Sequence, residues 1–196
     1  MVRLFYASFL APENMSTYES LVARLRAEVP RALRPIPTGS HHLTLAFLGE
    51  TADDEIDKCL AILESVKSIP AASLSLGQPR ILYGRGRPRL ICADVEEGSE
   101  HVARLQQLLC DEIMQVLPSR DLRPKPPHVT LARFSNKAKR GSGRKVEEAL
   151  ARQENAQPRR TDRLVSVQLV ESKLTPTGPI YQSLGEAILP RTGSSG

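Results

Sequence analysis

The spacing of apolar and polar positions changes period several times along the 196-residue chain, and each change marks an element. An apolar and aromatic run over residues 3–10, stopped by Ala11-Pro12, predicts a first buried strand. Ser16 and Glu19 have capping-box spacing ahead of Leu21, Leu25 and Val29, which predicts a helix from about 17 to 29. Pro30, Pro35 and Pro37 then make 30–40 a loop. A second strand is expected at 41–49. The acidic opening Thr51-Ala52-Asp53-Asp54 leads a second helix, in which Ile56, Leu60, Leu63 and Val66 repeat at helical spacing. Strands are expected near 72–77 and 89–95, joined by the basic turn Gly84-Arg85-Gly86-Arg87-Pro88-Arg89. A helix over 99–117 carries Val102, Leu105, Leu109, Ile113 and Val116 on one face. A strand at 127–134, a helix near 143–152 and strands near 163–171 and 180–188 complete the pattern, with 190–196 expected to be a disordered tail.

An internal repeat stands out in this pattern. His42-Leu43-Thr44-Leu45 opens one strand and His128-Val129-Thr130-Leu131 opens another, 86 residues later. Each is followed by helix, strand, strand, giving units at about 41–95 and 127–188 within a single bilobal domain over 1–189. That period is too long for a solenoid. The expected fold class is α+β: two pseudo-symmetric lobes, each a mainly antiparallel sheet with outer helices, and a groove between them.

Composition narrows the setting. With 40% hydrophobic and 25% charged residues the chain reads as an ordinary globular protein. The absence of Trp and a 4% aromatic content argue against a broad base-stacking surface. A formal charge of +5 favours an anionic partner without naming one. The three cysteines show no C-x-x-C spacing, so neither a disulfide framework nor a zinc site is expected. No apolar run approaches a membrane span. The N-terminal run has one basic residue and no small-x-small cleavage site, which argues against a signal peptide. A cytoplasmic monomer without cofactor or metal is expected.

The repeat carries the chemistry. Strand side chains alternate faces, so His42 and Thr44 share one face, as do His128 and Thr130, while the aliphatic residues take the other. Two imidazoles and two hydroxyls converging on a small anion suit phosphodiester hydrolysis. One neutral imidazole takes a proton from water, one protonated imidazole gives a proton to the leaving oxygen, and the hydroxyls hold non-bridging oxygens. His41 precedes His42, but only His42 has a Thr two positions later. Lys137, Lys139, Arg140, Arg144 and Lys145 form the densest basic run, and Arg85, Arg87 and Arg89 form a second basic cluster.

These motifs resemble the two signatures of the 2H phosphoesterase superfamily. Arg3 to Ala7, the extension Ala46-Phe47-Leu48-Gly49-Glu50, Pro127, and Ser172 to Pro176 with Gly178 and Tyr181 resemble its RNA 2′,3′-cyclic phosphodiesterase branch, also called 2′-5′ RNA ligases. The resemblance runs from Arg3 to about Leu189. It implies His42 as proton donor, His128 as proton acceptor, Thr44 and Thr130 at the phosphate, Arg133 at the substrate and Tyr6 stacked on a base. It also implies metal-independent hydrolysis of RNA 2′,3′-cyclic ends to 2′-phosphomonoesters. The alternatives are a 2′-5′ RNA ligase, a 2′-5′ oligonucleotide phosphodiesterase, or a non-catalytic protein that grips RNA ends. Strict alternation sets Arg133 on the face opposite His128, so it reaches the site only if the strand bulges, twists or ends before it.

Overall fold

The structure is a computed structural model, described over residues 1–120, 122–136, 138–139, 141–152, 160–175 and 178–191. Lys137 and Arg140 of the basic run, Pro176, and most of the expected tail lie outside those residues.

The chain begins with β1 (Val2–Phe9) and α1 (Pro12–Glu28). The helix starts five residues earlier than the Ser16-Glu19 pattern predicts. Pro12 occupies its first turn, where a fixed φ and a missing N–H are harmless. Ser16 lies inside the helix, its hydroxyl bonded back to the Glu13 carbonyl at 3.1 Å. Glu19 accepts a hydrogen bond from Thr38 at 2.8 Å instead of closing a cap.

A short strand, β2 (Leu33–Pro35), interrupts the expected loop, and β3 (His42–Thr51) follows. A 3-10 turn at Asp53–Glu55 leads into α2 (Ile56–Ser65). Next come β4 (Ala72–Gly84), β5 (Arg87–Val95) and α3 (Ser99–Val116). Gly98 caps α3 with φ +78, and a Cβ there would sit 2.6 Å from the Ser73 carbonyl, so only glycine fits without a shift. The remaining elements are β6 (His128–Phe134), α4 (Ser142–Ala151), β7 (Arg160–Leu164), β8 (Ser166–Thr175) and β9 (Gly178–Ile188). The single strand expected near 163–171 is therefore two strands, broken at Val165.

The main path of the sheet runs β7-β4-β5-β6-β3-β1-β8-β9, with β2 paired to β6, and every pairing is antiparallel. Among the described residues β3 and β6 meet through one pair, Leu43 with Val129. That seam divides the sheet into a four-stranded lobe (β3, β1, β8, β9) and a five-stranded one (β7, β4, β5, β6 and β2), each meeting the seam with its own histidine strand. Helices α2 and α3 back the His42 lobe, while α1 and α4 back the His128 lobe. One apolar core, including Leu4, Met15, Leu43, Leu76, Ile91 and Leu105, runs continuously behind both.

The connectivity crosses the seam. Strands β4 and β5 follow the His42 motif in sequence but pair in the His128 lobe. Strands β8 and β9 follow the His128 motif but pair beside β1 in the His42 lobe. Arg120 fixes the far end of β3, its guanidinium donating to the Leu48 carbonyl at 2.7 Å and the Glu50 carbonyl at 2.8 Å. No helix among the described residues is long and apolar enough to cross a membrane.

Candidate active site

Both motif histidines are held in the same way. The His42 Nδ1–H donates to the Ser40 carbonyl at 2.8 Å, and the His128 Nδ1–H donates to the Pro126 carbonyl at 3.0 Å. A carbonyl only accepts, so each contact places the hydrogen on Nδ1 and leaves Nε2 free to take or give a proton. The partner in each case is the residue two positions earlier, so the local geometry repeats with the sequence.

The strands around the motifs carry matched irregularities. In β6, Cys92 pairs with Thr130 and Ile91 with Ala132, which leaves Leu131 as an extra, bulged residue. In β3, Ala7 pairs with Thr44 and Tyr6 with Ala46, which leaves Leu45 in the equivalent place. A bulge resets the alternation of faces. Leu131 and Ala132 are consecutively buried, and so are Leu45 and Ala46. Arg133 and Phe47, each five residues past its histidine, return to the face of the motif. Arg133 accordingly reaches the site by the route that strict alternation closes.

His42, Thr44, Phe47 and Arg133 line one cavity of about 280 Å³ together with Leu174 and Tyr181. Arg3 also lines it, its guanidinium 4.9 Å from the centre of the Phe47 ring. Among the described residues, no carboxylate lines it. Thr44 is exposed there, and Thr130 is half-buried beside Cys92.

The surroundings of the two histidines differ. His42 sits in a cage of aromatic rings, with centroids of Phe5 and Phe9 at 5.3 Å and Tyr181 edge-on at 5.1 Å. Burial in this apolar setting is the main reason its pKa is pushed down to about 4. The Ser40 carbonyl opposes that effect, while the charges of Arg133, His41 and His128 reinforce it. Arg133 lines the same cavity as His42, whereas His128 and Thr130 are not among its lining residues and adjoin it through the strand pair of Leu43 with Val129. Across the strand pair, Phe9 opposes His42, whereas Asp94 opposes His128. Asp94 is itself held by both nitrogens of the Arg80 fork, at 2.5 and 2.8 Å.

Tyr6 is a correction. It is fully buried, and its hydroxyl donates to the Cys59 carbonyl at 2.6 Å. Its ring faces the core beneath α2 and is closed to a substrate base. Burial raises its hydroxyl pKa further above the ordinary range. Phe5 and Phe9, on the other face of β1, hold the groove position instead. Tyr6→Phe should therefore lose about 1 kcal/mol of stability through the orphaned carbonyl. Turnover should stay unchanged, as urea denaturation and an activity assay run together would show.

His41 is 2% exposed and packed in the core, its Nδ1 3.7 Å from Glu19. His101 lies on α3 and takes no part in the groove. Phe5, Phe9, Phe47 and Arg3 were not identified as site residues from sequence. Their signal is their parity relative to the motif histidine, which depends on strand register and on the bulge.

Known proteins resemble this chain over most of its length. The family model of the 2′-5′ RNA ligase superfamily matches residues 11–173. An RNA 2′,3′-cyclic phosphodiesterase of Thermus thermophilus is 31% identical over 190 residues, covering 93% of this chain and 88% of the relative. An RNA 2′,3′-cyclic phosphodiesterase of Aeropyrum pernix is 31% identical over 192 residues, covering 89% of this chain and 97% of the relative. The crystal structure of the Thermus thermophilus protein TT0787 superposes with a TM-score of 0.72 at 28% identity, covering 97% of this chain and 100% of that one. With the family matched over most of its length and relatives at this identity, the chain belongs to the 2′-5′ RNA ligase superfamily of 2H phosphoesterases.

Proposed function

We propose that the protein hydrolyses 2′,3′-cyclic phosphodiester ends of RNA to 2′-phosphomonoesters, with His42 as proton donor and His128 as proton acceptor. The observation that carries this reading is the pair of His-x-Thr strands meeting at one seam, each imidazole anchored through Nδ1 with Nε2 left free. The relatives named RNA 2′,3′-cyclic phosphodiesterase support the substrate class.

In the reaction, His128 Nε2 removes a proton from water as the water oxygen bonds to phosphorus. The bond from phosphorus to the 3′-oxygen breaks, and His42 Nε2 protonates that oxygen. The products are a 2′-phosphate and a free 3′-hydroxyl. Thr44, Thr130 and Arg133 hold the non-bridging oxygens, where charge gathers in the transition state. Solvent then returns the proton from His128 to His42.

The setting of His42 supports its role as the proton donor. An imidazolium at His42 is a strong acid because its cage does not stabilise the charge, which favours transfer to a leaving alkoxide. The bound phosphate anion supplies the counter-charge that protonates His42 in the complex.

The test is incubation of an RNA ending in 2′,3′-cyclic phosphate, in EDTA, with 2′- and 3′-phosphate products resolved. Conversion to the 2′-phosphate supports the reading and its metal independence. No turnover, turnover only with added metal, or the 3′-phosphate as product would overturn it. Arg133→Ala should reduce kcat/KM about 10- to 100-fold by removing a charge-assisted contact. The same change should raise the His42 pKa, since the Arg133 charge helps to hold it down. NMR titration of the His42 ring checks the second effect.

A further inference from the structure

We propose that the cleft walled by the β4–β5 hairpin binds the phosphodiester backbone of the RNA upstream of its cyclic end, so that the substrate is an oligonucleotide in preference to a cyclic mononucleotide. This rests on the function proposed above and extends it to the body of the substrate.

Beside the active-site cavity lies a second cleft of about 610 Å³, lined by Arg85, Arg87 and Arg89 of the hairpin and by Arg133, Phe134 and Asn136 of β6 and its end. Arg133 belongs to both cavities, so the basic surface starts at the reaction site and continues along the hairpin. Leu90 pairs with Arg133, and the strand from Leu90 back to Arg87 extends the wall by roughly 10 Å at 3.3 Å per residue, with Arg85 at the turn beyond it.

Among the described residues, none that lines the cleft is acidic. Among the described residues, no ion pair or hydrogen bond holds the guanidinium groups of Arg85, Arg87, Arg89 or Arg133. Elsewhere Arg80, Arg120, Arg144 and Arg152 each face a carboxylate. The nearby Glu147 is engaged by the Tyr83 hydroxyl at 2.7 Å, a bond that also ties the hairpin to α4. Pro88 packs against Gly143 at the start of α4, where an added Cβ would lie 3.1 Å away. The hairpin is thus anchored, and its cations are presented on a fixed support.

The hairpin tip adds an independent sign. Arg85 has φ +52 and Gly86 φ +71, the left-handed pair of a tight two-residue turn. Asn, Asp or Gly relieves the first of those positions, yet an arginine stands there. The direction of the chain follows from comparing the two openings beside the site. The cleft on the Phe9 side, about 590 Å³ and lined by residues including Ser40, Gln168 and Tyr181, has no cation among its described lining residues. A polyanion leaving the site gains only on the hairpin side.

The test uses the full chain and a triple variant, Arg85→Ala, Arg87→Ala and Arg89→Ala, with the three Arg→Lys changes as a charge-keeping control. Hydrolysis of adenosine 2′,3′-cyclic phosphate is compared with that of a short RNA carrying the same cyclic end. The alanine variant should keep mononucleotide kcat/KM within about twofold and lower oligonucleotide kcat/KM about tenfold or more. With three single-strand phosphate contacts, the intact protein should lose about 20-fold more than the variant between roughly 50 and 200 mM salt. The lysine variant should retain most of that salt dependence.

Equal losses on both substrates, or no loss on the oligonucleotide, would overturn the inference. If the intact protein turns over neither substrate, it is the proposed function that falls. Fluorescence anisotropy with the same RNA ending in a 2′-phosphate then decides the inference alone. Matching salt slopes for the intact protein and the alanine variant would end it.

Discussion

His128→Ala is expected to lower kcat/KM for a 2′,3′-cyclic phosphate by about 100- to 10,000-fold, and His42→Ala by a similar factor. Each change removes one of the two proton carriers, and neither has a substitute. His41 is adjacent in sequence to His42, but it is buried in the core. The double variant should be little worse than either single one, because acid and base act in one step and their losses do not multiply. Steady-state kinetics on all three variants checks this, with circular dichroism to confirm that each is folded. If His41 takes over, His42→Ala would retain most of its activity and the assignment would be wrong. A loss confined to KM would likewise refute it, since it would reduce the histidines to binding groups.

Acid should weaken the protein through His42. Its folded pKa of about 4 lies below the unfolded value of about 6.5, so folding favours the neutral ring. The stability this contributes is present in full above the unfolded pKa. It is lost progressively as pH falls from about 6.5 towards 4, because the unfolded chain binds the proton more readily. The difference between those values corresponds to about 3 kcal/mol. Urea unfolding at a series of pH values should show this loss in the intact protein. The loss should be missing from His42→Asn, so the stability gap between the two should change by about 3 kcal/mol across the window. A gap that stays constant would show that the aromatic cage does not depress the pKa. An anion at the active site should reduce the acid penalty, since it favours the protonated ring that the cage disfavours.

Much of this was legible in the sequence, for physical reasons. The two His-x-Thr strands could be read because alternation over four residues needs no knowledge of partners. The helix carrying Leu105 and Ile113 could be read because it buries one stripe, whereas α2 buries Cys59 and Ile62 beside Leu63 and leaves the expected Ile56 and Leu60 only partly buried. Tyr6 was misplaced because β1 is apolar on both faces, so only its pairing with β3 tells groove from core. The register that sets Phe9 against His42 gives Phe5 and Phe9 to the groove and Tyr6 to the interior. Arg133 could be suspected but not placed, because a bulge at Leu131 is a property of two strands together. The start of α1 was missed because the capping-box pattern competed with the stronger preference of Pro12 for a first turn.

The crossed connectivity has a consequence for how the molecule is made. Strand β1 pairs on one side with β3 and on the other with β8, whose residues lie some 160 positions further along the chain (Tyr6 with Leu169, for example). On the ribosome, the edge of β1 that later receives β8 stays unpaired while the intervening strands are synthesised and the other lobe assembles. Such distant pairings slow folding, and they leave an apolar strand edge open to unintended partners during that interval. Tyr181, which closes the His42 cage, arrives later still, on β9. The nascent chain therefore carries both histidines before it has the complete pocket in which His42 is poised.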